Sequence, residues 1–107
     1  MLKIALICQY GASTGMFASK MRQAAKKMGL EIETKAFPDS ELDQLIDQWD
    51  IILLGPQVGF KKDDILKRYP HYEKRLFVID AMDFGMMNGE KILKDALNLI
   101  EGGKSNG

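Results

Sequence analysis

Ile51-Ile52-Leu53-Leu54 is apolar at four consecutive positions, and a strand of that kind has no face to offer water. It is too short for a core helix, so it reads as a central strand covered on both sides, the usual condition of a parallel sheet. Leu2-Lys3-Ile4-Ala5-Leu6-Ile7 reads as a second buried parallel strand, and Leu76-Phe77-Val78-Ile79 as the last strand. Leu30 to Phe37 alternates Ile32 against Glu31 and Glu33, which suits a sheet edge, and Pro38 ends it.

The stretches between these runs carry helical spacing. From Met16 to Met28, Phe17, Met21, Ala24, Ala25 and Met28 fall on one face, with Lys20, Arg22, Lys26 and Lys27 mostly elsewhere, and Gly29 is placed to stop the helix. Leu42, Leu45, Ile46 and Trp49 sit at i, i+3, i+4 and i+7, behind Asp39 or Ser40 as a cap and beside an acidic face of Glu41, Asp43 and Asp47. Gly55 to Gly59 turns the chain, and a lysine-rich helix follows from about Lys61 to Arg68. Asp80 to Met87 reads as a loop, and Asn88 as the cap of a last helix carrying Ile92, Leu93, Ala96, Leu97 and Ile100.

Four strands alternating with four helices predict an α/β three-layer sandwich around a four-stranded parallel sheet. Right-handed crossovers and flavodoxin-like winding give the order 2-1-3-4, with ligands bound beyond the carboxyl ends of the strands where the winding reverses. Residues 1–101 are expected to form one domain, and 102–107, rich in glycine, a disordered tail.

Composition narrows the function classes. Fifteen basic and fifteen acidic residues cancel, which disfavours polynucleotide binding. No apolar run is long enough to insert in a bilayer, and no secretory leader is visible at the start of the sequence. A single cysteine permits no internal disulfide, as suits a cytoplasmic protein.

That cysteine, Cys8, stands where the first strand meets the turn Gln9-Tyr10-Gly11-Ala12-Ser13-Thr14-Gly15 and the first helix. A glycine-bearing turn of this kind gathers backbone N–H groups at the positive end of a helix dipole and makes an anion cradle. A helix N-terminus also favours a thiolate, the nucleophilic form. The residues therefore suggest a nucleophile built into a phosphate site, with Cys8 as the nucleophile. Ser13 and Thr14 read either as helix caps or as hydroxyl donors to phosphate, and the turn containing Gln57 is expected to border the site.

Other chemistry-bearing residues read more plainly. His71, the only histidine, is expected at the surface, and without a second histidine or cysteine a metal site is not expected. Asp80 and Asp83 lie near a strand end, but a carboxylate would repel a phosphorylated thiol, so they read as capping or turn residues. Phe84, Met86 and Met87 read as a semi-exposed apolar patch, either core or partner-docking.

Taken together, the chain resembles the cytoplasmic enzyme IIB component of the lactose/cellobiose/chitobiose class of the sugar phosphotransferase system. The resemblance rests on the strand ending in Cys8 with its Gly-Ala-Ser-Thr loop, on Leu53-Leu54-Gly55-Pro56-Gln57-Val58, and on Asp83-Phe84-Gly85-Met86-Met87-Asn88-Gly89-Glu90-Lys91. It implies that Cys8 accepts a phosphoryl group from a phosphohistidine of enzyme IIA and passes it to a sugar bound by the membrane component, enzyme IIC. It implies too that Gln9, Tyr10, Gly11, Ala12, Ser13, Thr14 and Gly15 hold the phosphocysteine, that no cofactor takes part, and that the sugar is a β-linked disaccharide such as cellobiose or diacetylchitobiose. Gln9-Tyr10 and Gly15 depart from what many relatives carry. Two alternatives stand beside this reading. A low-molecular-weight tyrosine phosphatase shares the cysteine loop but has an arginine where this chain has Thr14. A flavodoxin-like phosphate or cofactor binding module fits Ser13-Thr14-Gly15 but finds only Tyr10 in the loop to stack on a flavin.

Overall fold

A computed structural model describes the backbone of residues 1–8 and 11–105; Gln9, Tyr10, Asn106 and Gly107, and the side chains of 11–14 and 101–105, lie outside the described residues. The strands are β1 (Leu2–Cys8), β2 (Ile32–Pro38), β3 (Ile51–Leu54) and β4 (Leu76–Val78), and the helices α1 (Gly11–Lys27), α2 (Leu42–Leu45), α3 (Lys62–Arg68), α4 (Ala81–Gly85) and α5 (Gly89–Ser105). The sheet runs β2-β1-β3-β4 with every pairing parallel, as the alternating pattern predicts.

The uninterrupted apolar runs are explained by two cores, one on each face of the sheet. Ile4, Leu6, Ile51 and Leu53 pack against α1 and α5, whose Phe17, Met21, Ile92 and Leu93 are fully buried. Ala5, Ile7, Ile52 and Leu54 take the opposite parity and pack against Leu42, Trp49, Ile65 and Tyr72. Each fully buried Ile or Leu contributes about 1.5–3 kcal/mol of transfer free energy, so exposing either face of β1 or β3 would be costly. β2 is an edge strand, and Gly29 (φ 74°) supplies the left-handed turn between α1 and β2.

Three local expectations are corrected. The helix predicted to carry Leu42 through Trp49 stops after Leu45, because Ile46 turns extended (ψ 140°) and Asp47 adopts φ 73°. The Tyr72 hydroxyl fixes this corner, accepting from the Asp47 N–H (2.7 Å) and donating to the Trp49 carbonyl (2.9 Å). Trp49 is buried all the same, edge-on to Phe37. Neither Asp39 nor Ser40 caps α2 through its side chain; both lie in a 3-10 turn, Asp39–Glu41, and the Asp39 carboxylate takes Lys61 instead. Finally, the segment read as a loop from Asp80 to Met87 contains α4, capped by Asp80, whose carboxylate accepts from the N–H groups of Met82 (3.1 Å) and Asp83 (3.3 Å).

Candidate functional site

Cys8 is the last residue of β1, the strand flanked by β2 on one side and β3 on the other. In a sheet ordered 2-1-3-4 this is where the winding reverses, the place at which folds wound in this way bind their ligands. The chain re-enters regular structure at Gly11 as the 17-residue helix α1, with its N-terminus at the same end of the sheet as Cys8. A helix N-terminus carries the positive end of its dipole, and this one lies at the Cys8 end of the sheet. Of the predicted phosphate-binding residues, Gln9 and Tyr10 and the side chains of Gly11, Ala12, Ser13 and Thr14 lie outside the described residues, and Gly15 is exposed.

Cys8 is only 3% exposed, and its Sγ donates to Oε1 of Gln57 at 3.4 Å. Local geometry forces this approach. The Gly55 N–H donates to the Ile7 carbonyl (2.7 Å), drawing the end of β3 against the end of β1. A Cβ on Gly55 would stand 2.9 Å from Gln57 Oε1 and 3.4 Å from Cys8 Sγ, so the contact exists because that position has no side chain. Pro56 then starts the 3-10 turn Pro56–Lys61, anchored by buried Val58. The expectation that this turn borders the cysteine therefore becomes a direct hydrogen bond.

His71 is placed elsewhere. It precedes β4, at the amino end of the strands, where its Nε2 meets Asp47 Oδ1 at 2.6 Å, half-exposed, with its ring edge-on to Tyr69 and Tyr72. Asp80 and Asp83 do lie at the Cys8 end, but both are committed to structure. Asp80 caps α4, and Asp83 bonds Lys91 (2.8 Å), which also holds Asp95 (3.0 Å). These two carboxylates, Asp83 foremost, push the Lys91 ammonium well above the ordinary lysine range. Among the described residues no three His, Cys, Asp or Glu side chains converge as a metal site would require.

Around this end the surface is unusually rich in sulfur. Phe84 stacks on Phe17 (5.3 Å between centroids), tying α4 to α1, while Met16, Met82 and Met86 are 59%, 71% and 71% exposed. Exposed methionine offers a flexible, polarisable contact surface. Phe60, which the sequence pattern did not single out, is 79% exposed in the turn after β3, with Lys61 near its ring. Nothing in the periodicity marked it, because a lone aromatic in a turn carries no period.

Among the described residues a cavity of about 440 Å³ lies beside this end, between α2 and α3. Its cations are already neutralised: Lys61 by Asp39, and Arg68 by Asp43 (2.6 Å) and Asp64 (3.2 Å). Lys61 holds the Asp39 carboxyl below the usual carboxylate range, and Arg68 with Tyr69 does the same for Asp43. A cavity whose charges are internally satisfied has little left with which to attract an anion.

The chain is similar to known proteins over nearly its whole length. The family described as "PTS system, Lactose/Cellobiose specific IIB subunit" matches residues 3–95. An oligo-β-mannoside-specific EIIB component of Bacillus subtilis is 35% identical over 100 residues, covering 94% of this chain and 97% of its own. A galactose-specific EIIB component of Lactococcus lactis subsp. cremoris is 37% identical over 102 residues, covering 91% and 94%. A cellobiose-specific EIIB component of Lactococcus lactis subsp. lactis is likewise 37% identical over 102 residues, covering 91% and 94%. Among solved structures, a cellobiose-specific IIB component from Borrelia burgdorferi superposes with a TM-score of 0.76 at 30% identity, covering 94% of this chain and 93% of that one. A lactose-specific IIB component domain from Streptococcus pneumoniae shares the fold, with a TM-score of 0.78 at 15% identity over 91% of this chain and 95% of its own.

Proposed function

This chain belongs to the lactose/cellobiose-specific IIB family of the phosphotransferase system, a family of phosphotransferases, and we propose that Cys8 is the residue that carries the phosphoryl group. The Cys8 thiolate attacks the phosphorus of a phosphohistidine on an enzyme IIA partner. The S–P bond forms as the N–P bond breaks, the bond electrons stay on the imidazole, and the thiol proton has gone to water. In the second half-reaction the hydroxyl oxygen of a sugar held by a membrane enzyme IIC attacks the phosphorus; the O–P bond forms as the S–P bond breaks, the hydroxyl proton passes to water, and Cys8 leaves as the thiolate.

The observation that supports this reading is the position of Cys8: a cysteine at the carboxyl end of a central strand, beside the N-terminus of α1. Phosphoryl transfer asks the protein chiefly for an in-line nucleophile and for donors to the equatorial oxygens. The stretch Gln9 to Gly15 is assigned the second task. The α1 dipole and backbone N–H groups stabilise negative charge without a fixed cation that would hold the phosphate too firmly. Among the described residues no helix is long and apolar enough to cross a membrane, and the domain is assigned to the cytoplasmic side of its transporter.

Relatives at similar identity are named for oligo-β-mannosides, galactose and cellobiose, so overall likeness does not select the sugar. A β-linked disaccharide such as cellobiose or diacetylchitobiose is proposed, with recognition residing in the IIC partner. Both partners must release the domain after each transfer, which calls for small, transient interfaces. The methionine-rich rim formed by Met16, Met82 and Met86 is the surface assigned to them.

Intact-mass measurement and peptide mapping after incubation with a phosphorylated enzyme IIA test the proposal. One phosphoryl group on Cys8, absent in Cys8→Ser with the fold retained, is the expected result. Phosphate on another residue, or undiminished labelling of Cys8→Ser, overturns it.

A further inference from the structure

Gln57 lies outside the Cys8–Gly15 stretch, yet its carboxamide is the side-chain group hydrogen-bonded to the sulfur among the described residues. In this arrangement Oε1 accepts the S–H of a protonated thiol. A thiolate has no proton to give, and neither has a phosphorylated sulfur. In both states Oε1 at 3.4 Å would face sulfur lone pairs or phosphoryl oxygens, acceptor against acceptor.

We propose that Gln57 is a positioning residue whose carboxamide turns over during the phosphoryl cycle, with Oε1 accepting from the resting thiol and Nε2 donating to the thiolate and then to a phosphoryl oxygen. The inference rests on the reading of Cys8 as the phosphoryl carrier. Turning about the last side-chain bond exchanges oxygen for nitrogen with little movement of heavy atoms, and such sp³–sp² torsions are broad and two-fold. Gln57 is exposed, so water satisfies whichever end points outward. What does not move is the platform beneath it. Val58 is 2% exposed and donates its N–H to the Gly55 carbonyl (3.0 Å), while Gly55 is tied to Ile7 and leaves the space through which Gln57 reaches the sulfur.

No covalent bond to Gln57 forms or breaks. The thiol proton passes to water, and the carboxamide changes only which of its two ends meets the sulfur. A carboxylate at this place could only accept, and an ammonium could only donate. The amide alone serves both the protonated and the ionised state without adding charge.

The experiment compares the full chain with Gln57→Met and Gln57→Glu. One measurement is the pH midpoint of Cys8 alkylation by iodoacetamide; the other is the rate of loading from a phosphorylated enzyme IIA. Loss of the donor should move the alkylation midpoint to higher pH in Gln57→Met, and further in Gln57→Glu. Loading should slow by about tenfold or more in both, the size expected for a hydrogen bond to a charged group. If Gln57 is only an acceptor that holds the thiol proton, its removal lowers the midpoint in Gln57→Met; a lowered or unchanged midpoint there overturns the proposal. Because a carboxylate raises the midpoint by its charge alone, the neutral Gln57→Leu decides should Gln57→Met fail to fold, a lowered or unchanged midpoint again counting against the proposal. Alkylation requires no partner, so the two readings fail separately. Wild-type protein that does not load while the midpoint rises as expected defeats the phosphotransfer reading alone, and wild-type protein that loads while the midpoint stays or falls defeats the turning carboxamide alone.

Discussion

Gly55 acts through an atom it lacks. Its backbone is in an ordinary extended conformation (φ −60°, ψ 155°), so strain is not the reason for glycine there; space is. In Gly55→Ala the new Cβ meets the mobile end of Gln57, which yields, and the Ile7 carbonyl at 3.3 Å, which resists. The expected outcome is a folded protein destabilised by about 1 kcal/mol and deprived of the Gln57 contact. Urea unfolding measures the first effect, and slower loading of Cys8 from phosphorylated enzyme IIA measures the second. At this scale the sequence was partly legible. Cys8 announced itself by standing where an apolar strand meets a glycine-bearing turn, and Gln57 by belonging to the turn after the next strand inward. The sterically required glycine between them was not legible, because a turn glycine and a close-approach glycine look alike until the backbone is in place.

At the scale of elements, strands were easier to foresee than short helices. A strand covered on both faces needs every residue apolar, which leaves a mark in the sequence that no neighbour can alter. α2 ends where it does because of a tyrosine hydroxyl contributed from 25 residues later, a cause that no local window contains. α4, five residues long, is held by the Asp80 cap and by Phe84 on Phe17. α5 shows a third kind of dependence. It begins against α1 so closely that a Cβ on Gly89 would lie 2.8 Å from the Lys20 carbonyl carbon and 2.9 Å from the Met21 nitrogen. Backbone cannot step aside as a side-chain tip does, so Gly89→Ala should push the helices apart and cost about 1–3 kcal/mol. Thermal unfolding should register the loss, with amide-exchange protection falling first along α1 and the start of α5. Unchanged stability would mean that the crossing is looser than its geometry indicates.

For the whole molecule, the two cores and the ionisable groups around them define a window of pH. Burial pushes the Tyr72 phenol up, and its hydrogen bond to Asp43 pushes Tyr69 up. A group whose folded pKa is raised stabilises the fold below its unfolded value and loses that contribution as pH rises through the folded one. Unfolding by urea should therefore become easier above about pH 10. Tyr72→Phe should be less stable at neutral pH by about 1–3 kcal/mol, since the Asp47 N–H and the Trp49 carbonyl lose their partner, and its alkaline decline should be shallower. At the acid end the sign reverses. Asp39 and Asp43 are held low by Lys61 and Arg68, so their contribution is present above their unfolded values near about pH 4 and fades as pH falls through the folded ones. Those pairs are largely exposed, so salt should blunt the acid limb far more than the Tyr72 limb. A flat urea midpoint from neutral pH into the alkaline range would contradict the assignment to Tyr72.

The Tyr72 clamp closes the amino end of the sheet, and Cys8 and Gln57 occupy the other, so the domain's stability and its chemistry draw on different atoms. If partners dock at the tip as proposed, substitutions there should change which protein binds, or how quickly it leaves, without loosening the clamp. A fold divided in this way suits a lineage that keeps one reaction while changing its clientele: the base of the tool stays the same while the bit is recut.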